Sequence, residues 1–409
     1  MSAVCFYFQV HQPYRVQKLS PFDTGDTIDY FLDVVDERHD NRKILDKVSE
    51  KCYLPTNALL LELLQTHPDF KISFSFSGVF LEQIERWRPD VLTSFQALIA
   101  TGQVEILAET YYHSLSFLYS RGEFREQVKK HEDTVERLFG VTPQVFRNTE
   151  LIYNNDLASE IESLGYTGIL TEGADHILKG KSPNFLYSPV NTNKIKLFLK
   201  NYQLSDDIAF RFSSQEWDGY PLTADKYSSW ISRINGSGEI INLFMDYESF
   251  GEHQWESTGI FEFLRHLPWH IFQHPDNYFI TPSEAVITLQ SHGEVDIPNF
   301  ISWADSERDL SAWLSNELQG DALNKVYGLE SRIKQLERAD LIEDWRRLQT
   351  SDHFYYMCTK YFEDGNVHKY FSPYETPYQA FIYYMNALRN LMFRIDREEN
   401  VIQQKSHES

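Results

Sequence analysis

Five groups of polar, titratable residues in this 409-residue chain stand in the same kind of place. Each follows a stretch that reads as a buried strand. His11, Gln12 and Pro13 come after residues 3–10, and Ser77, Gly78 and then Glu82 close residues 71–77. Glu109, Tyr111, Tyr112 and His113 follow 104–108, and Arg147, Asn148 and Glu150 end 144–147. Asp246, Glu248, Glu252 and His253 follow the apolar run 239–245. In a parallel sheet or barrel the strand C-termini share one rim, and active sites are built there.

Two carboxylates stand out chemically. Arg147 and Asn148 beside Glu150 could hold it ionised, as a nucleophile requires. Asp246 follows an apolar strand and has Glu248 nearby; desolvation and a like charge both raise a carboxyl pKa toward the range of a general acid. One charged and one neutral carboxylate is the pair that glycosidic cleavage uses, roughly 5–5.5 Å apart when configuration is retained. The structural alternatives are a helix-start Glu and a strand-end Asp opening a turn. His11, His113 and His253 could ligate a metal with Asp246 or Glu150, but none is paired in HxxxH or HxH spacing. A neutral imidazole that donates to and accepts from sugar hydroxyls is the better assignment, with a satisfied structural histidine as the alternative for each.

The elements that must position these groups alternate. Strand-like runs at 3–10, 71–77, 104–108, 144–147 and 167–170 are separated by helical spacing at 55–66, 82–86, 90–101, 122–139 and 156–164. Such alternation predicts an α/β fold with a parallel sheet or barrel. Residues 181–214 carry short strand-like pieces and read as an insertion. Beyond about Pro298 the spacing is helical, at 310–318, 325–348 and 377–397, and residues after 397 are polar.

Composition narrows the function. Lys and Arg number 38 against 60 Asp and Glu, a net charge of −22, so binding to phosphate backbones is disfavoured. Tyr, Phe and Trp (24, 29 and 8) make up 15% of the chain; most of these rings must fill cores, but they also suit the faces of sugar rings. Cys5, Cys52 and Cys358 show no spacing for a disulfide framework or a zinc site. No signal peptide and no membrane span is read, and the expectation is a soluble, cytoplasmic protein.

The chain resembles glycoside hydrolase family 57, the family of α-amylases and 4-α-glucanotransferases. Five motifs appear in order: His11-Gln12-Pro13; Gly78-Val79-Phe80-Leu81-Glu82; Phe146-Arg147-Asn148-Thr149-Glu150; Met245 through His253; and Ser302-Trp303 through Glu307-Arg308-Asp309 to Trp313-Leu314. The resemblance implies an incomplete parallel (β/α)7 barrel over residues 1–297. A C-terminal helical bundle, 298–398, would complete the site, ahead of a polar tail, 399–409. It implies a retaining mechanism with Glu150 as nucleophile and Asp246 as acid/base. The implied substrate-binding set is His11, Glu82, His113, Arg147, His253, Trp303, Asp309 and Trp313, with no metal and no cofactor. The implied substrate is an α-1,4-linked glucan or maltooligosaccharide, with the α-amylase branch the nearest. A 4-α-glucanotransferase is the alternative, and branching is least expected because branching relatives are usually longer. Two rival readings are a metal-dependent carbohydrate hydrolase or deacetylase, and a non-catalytic glucan-binding protein.

Overall fold

The computed structural model describes residues 2–23, 25, 28–32, 37–360 and 367–408. The chain forms two compact units. The first comprises residues 1–11, 45–110 and 128–303; the second comprises 12–44, 111–127 and 304–409.

The first unit is built on parallel strands: β1 (Ser2–Val10), β2 (Ile72–Phe76), β3 (Val104–Ile106), β4 (Val145–Arg147), β5 (Gly168–Glu172), β6 (Lys196–Lys200), β7 (Ile240–Asp246) and β8 (Asn277–Phe279). Every residue of β1 and β2 is buried, as expected of strands covered on both faces. The order is β3-β2-β1-β7-β6-β5-β4, with β8 paired to the first residues of β1. The chain just past β3 reaches β4 through one parallel bridge. Ala108 N–H donates to the Val145 carbonyl at 2.9 Å, and Arg147 N–H donates to the Ala108 carbonyl at 2.8 Å. The sheet thus curls into an incomplete seven-stranded (β/α) barrel, the parallel architecture that the strand–helix alternation predicts in the form that the family resemblance implies.

One expectation is corrected. Residues 196–200 are not an insertion: β6 is an interior strand between β5 and β7. Its apolar centre is only Leu197–Leu199, flanked by two lysines. The buried Lys200 is tolerated because its Nζ meets Asp206 at 3.0 Å. Only Ser188–Pro189 pairs elsewhere, with Glu294–Val295 in a two-stranded sheet.

Aromatic rings fill the space behind β1 and β2. Phe74 lies 5.6 Å from Phe8, 5.6 Å from Phe95 and 5.1 Å from Tyr247, the last two edge-to-face. This is the arrangement that ring quadrupoles favour.

The second unit is helical. The expected helix over 325–348 is three, Glu317–Gly328, Glu330–Gln335 and Ala339–Arg347. Glu337, at φ +51°, interrupts the run before the third. Trp345 is fully buried and donates its Nε1–H to the Val326 carbonyl at 2.7 Å. The last helix spans Pro377–Glu408, so the segment expected as a polar tail continues it. Its Glu, Gln and Lys residues are good helix formers with no Gly or Pro to stop them, and Arg332 binds Glu399 at 2.6 Å. All three cysteines are buried and free. Among the described residues, no helix is long and apolar enough to cross a membrane.

Because Phe74 is fully buried among rings, Phe74→Ala should destabilise the protein by about 3–5 kcal/mol. Urea unfolding followed by near-UV circular dichroism measures this; a loss under about 1 kcal/mol would mean the cluster collapses into the gap.

Candidate active site

Past β4 the chain makes a tight turn over Thr149–Leu151, in which Glu150 and Leu151 have φ of +57° and +51°. Left-handed geometry costs a non-glycine residue roughly 1–2 kcal/mol, so two in succession must be held from outside. Residues 301–303 do this. Tyr153 N–H donates to the Ile301 carbonyl at 3.0 Å, Ile301 N–H donates back at 2.9 Å, and Trp303 N–H donates to the Glu150 carbonyl at 3.2 Å. The same alignment brings the Trp303 indole Nε1–H to Glu150 Oε2 at 2.8 Å.

Two cations lie over that indole. The Arg147 guanidinium is 4.9 Å and the Lys200 ammonium 5.3 Å from the ring. Arg147 is fully buried, and none of its three side-chain nitrogens has a hydrogen-bond partner among the described residues. Positive charge over the ring polarises the N–H and favours the ionised form of its carboxylate acceptor. The work assigned from sequence to Arg147 and Asn148 is therefore distributed differently. Asn148 donates to the Ile152 carbonyl at 3.0 Å, while Arg147 packs on Trp303. Trp303, expected as a sugar platform, uses its nitrogen to hold Glu150. Trp303 was legible as a motif residue, but its partner was not, because 153 positions separate the two.

Asp246 is the half-buried last residue of β7, in register with Gln9 of β1. Gln9 donates to Glu109 at 3.0 Å and accepts from Tyr7 and Ser75, each at 2.8 Å. Burial raises the Tyr7 phenol far above its ordinary value, Arg147 opposes this, and Glu109 and Asp246 add to it. Tyr7 thus lies within electrostatic reach of groups on β4 and β7. Tyr7 and Gln9 were missed in the sequence; the available signal was polar atoms at alternate positions of an otherwise apolar strand. Glu248, expected beside Asp246, is buried and accepts from the Tyr53 hydroxyl at 2.5 Å.

The first two polar clusters meet directly: His11 Nδ1 is 2.7 Å from Ser77 Oγ, and Ser77 caps the helix Gly78–Trp87. Glu82 lies on the second turn of that helix, 3.9 Å from Lys130. Desolvation lowers His253 to about 4, only partly offset by Glu252, so its imidazole is neutral near pH 7. His113, Asp309 and Trp313 belong to the second unit. His113 is buried at φ +50°, its carbonyl accepting from Ser351 N–H at 2.9 Å. Burial would raise Asp309, but Ser311 N–H at 2.8 Å and the Ser311 hydroxyl hold it below the usual carboxylate range. Trp313 is fully buried, 6.3 Å from the Tyr355 ring, and offers no open stacking face. Among the described residues, no group of three or more His, Cys, Asp or Glu could hold a metal ion.

His253 makes stability depend on pH. Its folded pKa, about 4, lies below the unfolded value, so its contribution is intact above pH ~6.5 and lost as pH falls toward 4. The loss is about 3 kcal/mol. His253→Asn should remove that much of the slope in urea midpoints measured between pH 7 and 4, and an unchanged slope would contradict it.

Residues 5–298 match the model of glycosyl hydrolase family 57. A Methanocaldococcus jannaschii protein provisionally named as an α-amylase is 44% identical over 403 residues, 96% of this chain and 84% of that one. An α-amylase of Pyrococcus horikoshii is 24% identical over 200 residues, 48% of this chain but only 31% of the relative. The solved GH57-type branching enzyme of Pyrococcus horikoshii superposes with a TM-score of 0.67 at 15% identity, covering 98% of this chain and 95% of that one. At that identity the likeness shows the fold alone. The protein is a glycoside hydrolase and belongs to glycosyl hydrolase family 57.

Proposed function

We propose that the protein cleaves α-1,4 glucosidic bonds of starch- or glycogen-type glucans by double displacement, with Glu150 as nucleophile and Asp246 as acid/base. The observation that carries the assignment of Glu150 is the charge-assisted hydrogen bond from Trp303 Nε1 at 2.8 Å, with two cations over the indole. A nucleophilic carboxylate must be ionised and aimed, and this donor serves both needs. Asp246, half-buried at a strand end, has the desolvated setting of a proton donor. The relatives named for α-amylase activity support the substrate class.

Asp246, protonated, donates to the glycosidic oxygen as Glu150 Oε attacks the anomeric carbon and the leaving sugar departs. Asp246, now a base, takes the proton of the next acceptor, which displaces Glu150 and restores both carboxyl groups. Water as acceptor gives hydrolysis; a sugar hydroxyl gives transfer. His11 and the neutral His253 are suited to bind hydroxyl groups around the reacting sugar. Glu82 and Arg147 belong to the proposed binding set of the first unit, and His113, Asp309 and Trp313 are the proposed sugar-binding residues of the second, Arg147 and Trp313 acting through packing because both are buried.

Product analysis on one defined maltooligosaccharide tests the reaction. Shorter chains only are the expected result; longer chains would mean transfer, new α-1,6 links branching, and no change would overturn the reading. Glu150→Gln and Asp246→Asn should each lower turnover by several orders of magnitude. Trp303→Phe removes one hydrogen bond to a charged group, about 1.5–3 kcal/mol, and should slow kcat/KM roughly 10- to 100-fold. It should also move the acidic limb of the pH profile upward, since the carboxylate loses a donor that favours its ionised form. A slower variant with an unmoved limb would reduce Trp303 to a packing role.

A further inference from the structure

The first unit also carries a groove of about 580 Å³, lined by residues between Glu50 and Leu59 and between Gly251 and Arg265, the latter segment beginning beside the strand-end residues Glu252 and His253. That volume is in the range of small-molecule clefts, roughly 300–1,000 Å³. Among its lining residues is Trp255, which is 61% exposed although it is among the largest apolar side chains in the protein. A tryptophan left open to water forgoes its burial energy, so its backbone support is informative.

That support is closely built. Gly251 has φ +109°, and a Cβ there would stand 2.0 Å from the Lys51 carbonyl, so only glycine lets the two segments approach. Gly251 N–H donates to the Gln254 carbonyl at 2.8 Å, and the Gln254 side chain donates to the Ala209 carbonyl at 3.0 Å. Thr258 N–H closes the following turn on the Trp255 carbonyl at 2.9 Å. The Lys51 ammonium lies 5.7 Å from the indole. The aromatic face is therefore presented by a braced turn.

The rim chemistry selects the ligand. Glu50, Glu256 and Glu262 carry acceptors, and Lys51 and Arg265 carry donors. Glu50 already accepts from Arg88 at 2.8 Å and Arg265 donates to Glu62 at 2.7 Å, so what these groups offer a ligand is their remaining hydrogen-bonding capacity. Anions meet the carboxylates and cations meet the basic groups, so neither class of ion is favoured. A neutral molecule with an apolar ring face and a periphery of hydroxyls suits this rim: its ring face matches the indole, and hydroxyls can donate to carboxylates and accept from basic groups.

We infer that the Trp255 groove is a second, non-catalytic binding site for an α-glucan chain. This rests on the α-glucan reading above for the identity of the sugar. The groove holds polymeric substrate on the protein, while short oligosaccharides are processed without it.

The test is native electrophoresis through gels containing soluble starch, in the Glu150→Gln background so that the gel is not digested. E150Q should be retarded, and E150Q/W255A should bind roughly tenfold or more weakly, as removal of an anchoring tryptophan does. A second variant, Arg265→Ala in the same background, should show a smaller loss in the same direction. Trp255→Ala alone should keep turnover on maltotriose within about twofold while losing it on soluble starch. Equal mobility of E150Q and E150Q/W255A overturns the proposal, as does absence of retardation in E150Q itself. An equal loss of turnover on maltotriose also overturns it, because Trp255 would then belong to the catalytic cleft. Failure of the catalytic reading appears elsewhere, as undiminished turnover in E150Q.

Discussion

A carboxylate that stays ionised inside a barrel needs a donor and positive charge beside it, and under the proposed role of Glu150 this is the constraint on which the interior of the first unit depends. The indole N–H of Trp303 supplies the donor, and Arg147 and Lys200 supply the charge. Both cations lie over the ring, and Arg147 has no hydrogen-bond partner among the described residues. The indole N–H is an aimed donor to one oxygen of Glu150.

Keeping two cations in a barrel interior is costly, and neighbouring groups offset the cost unevenly. Lys200 is compensated conventionally, by Asp206 at 3.0 Å and Glu172 at 3.9 Å. Arg147 has no hydrogen-bond partner among the described residues and packs on the indole. Tyr7, raised chiefly by burial, also feels Arg147, Glu109 and Asp246, charges carried on or just past β4, β3 and β7. The strained turn at Glu150 and Leu151 belongs to the same design. Backbone bonds from 301–303 hold it, and those bonds also deliver Trp303.

Much of the fold was legible because the signals are local. The apolar runs that became β1, β2 and β7 end in polar residues, and those residues stand at the strand ends. The strand β6 was missed because three apolar residues between lysines resemble loop sequence; its burial depends on Asp206, a helix residue whose contact with Lys200 periodicity does not report. The helix over 325–348 was read as continuous because its composition permits it, whereas the left-handed Glu337 divides it. Tyr7 and Gln9 looked like strand residues, and only the barrel's curvature turns them into an interior network with Ser75 and Glu109.

By itself the sequence determined the residue types available for chemistry, their order along the chain, and the alternation of strands and helices that puts Glu150 and Asp246 at strand ends. Those properties depend on hydrophobic period and on neighbours a few residues away, which a linear string records. Tertiary structure decided which groups act on one another: Trp303 rather than Arg147 on Glu150, Tyr53 on Glu248, Ser77 on His11. It also decided that Trp255 stays open on a braced turn while Trp313 is enclosed. Side-chain partners separated by tens or hundreds of residues are set by strand order, curl and packing, and a hydrogen bond exists only where those bring donor and acceptor within about 3 Å.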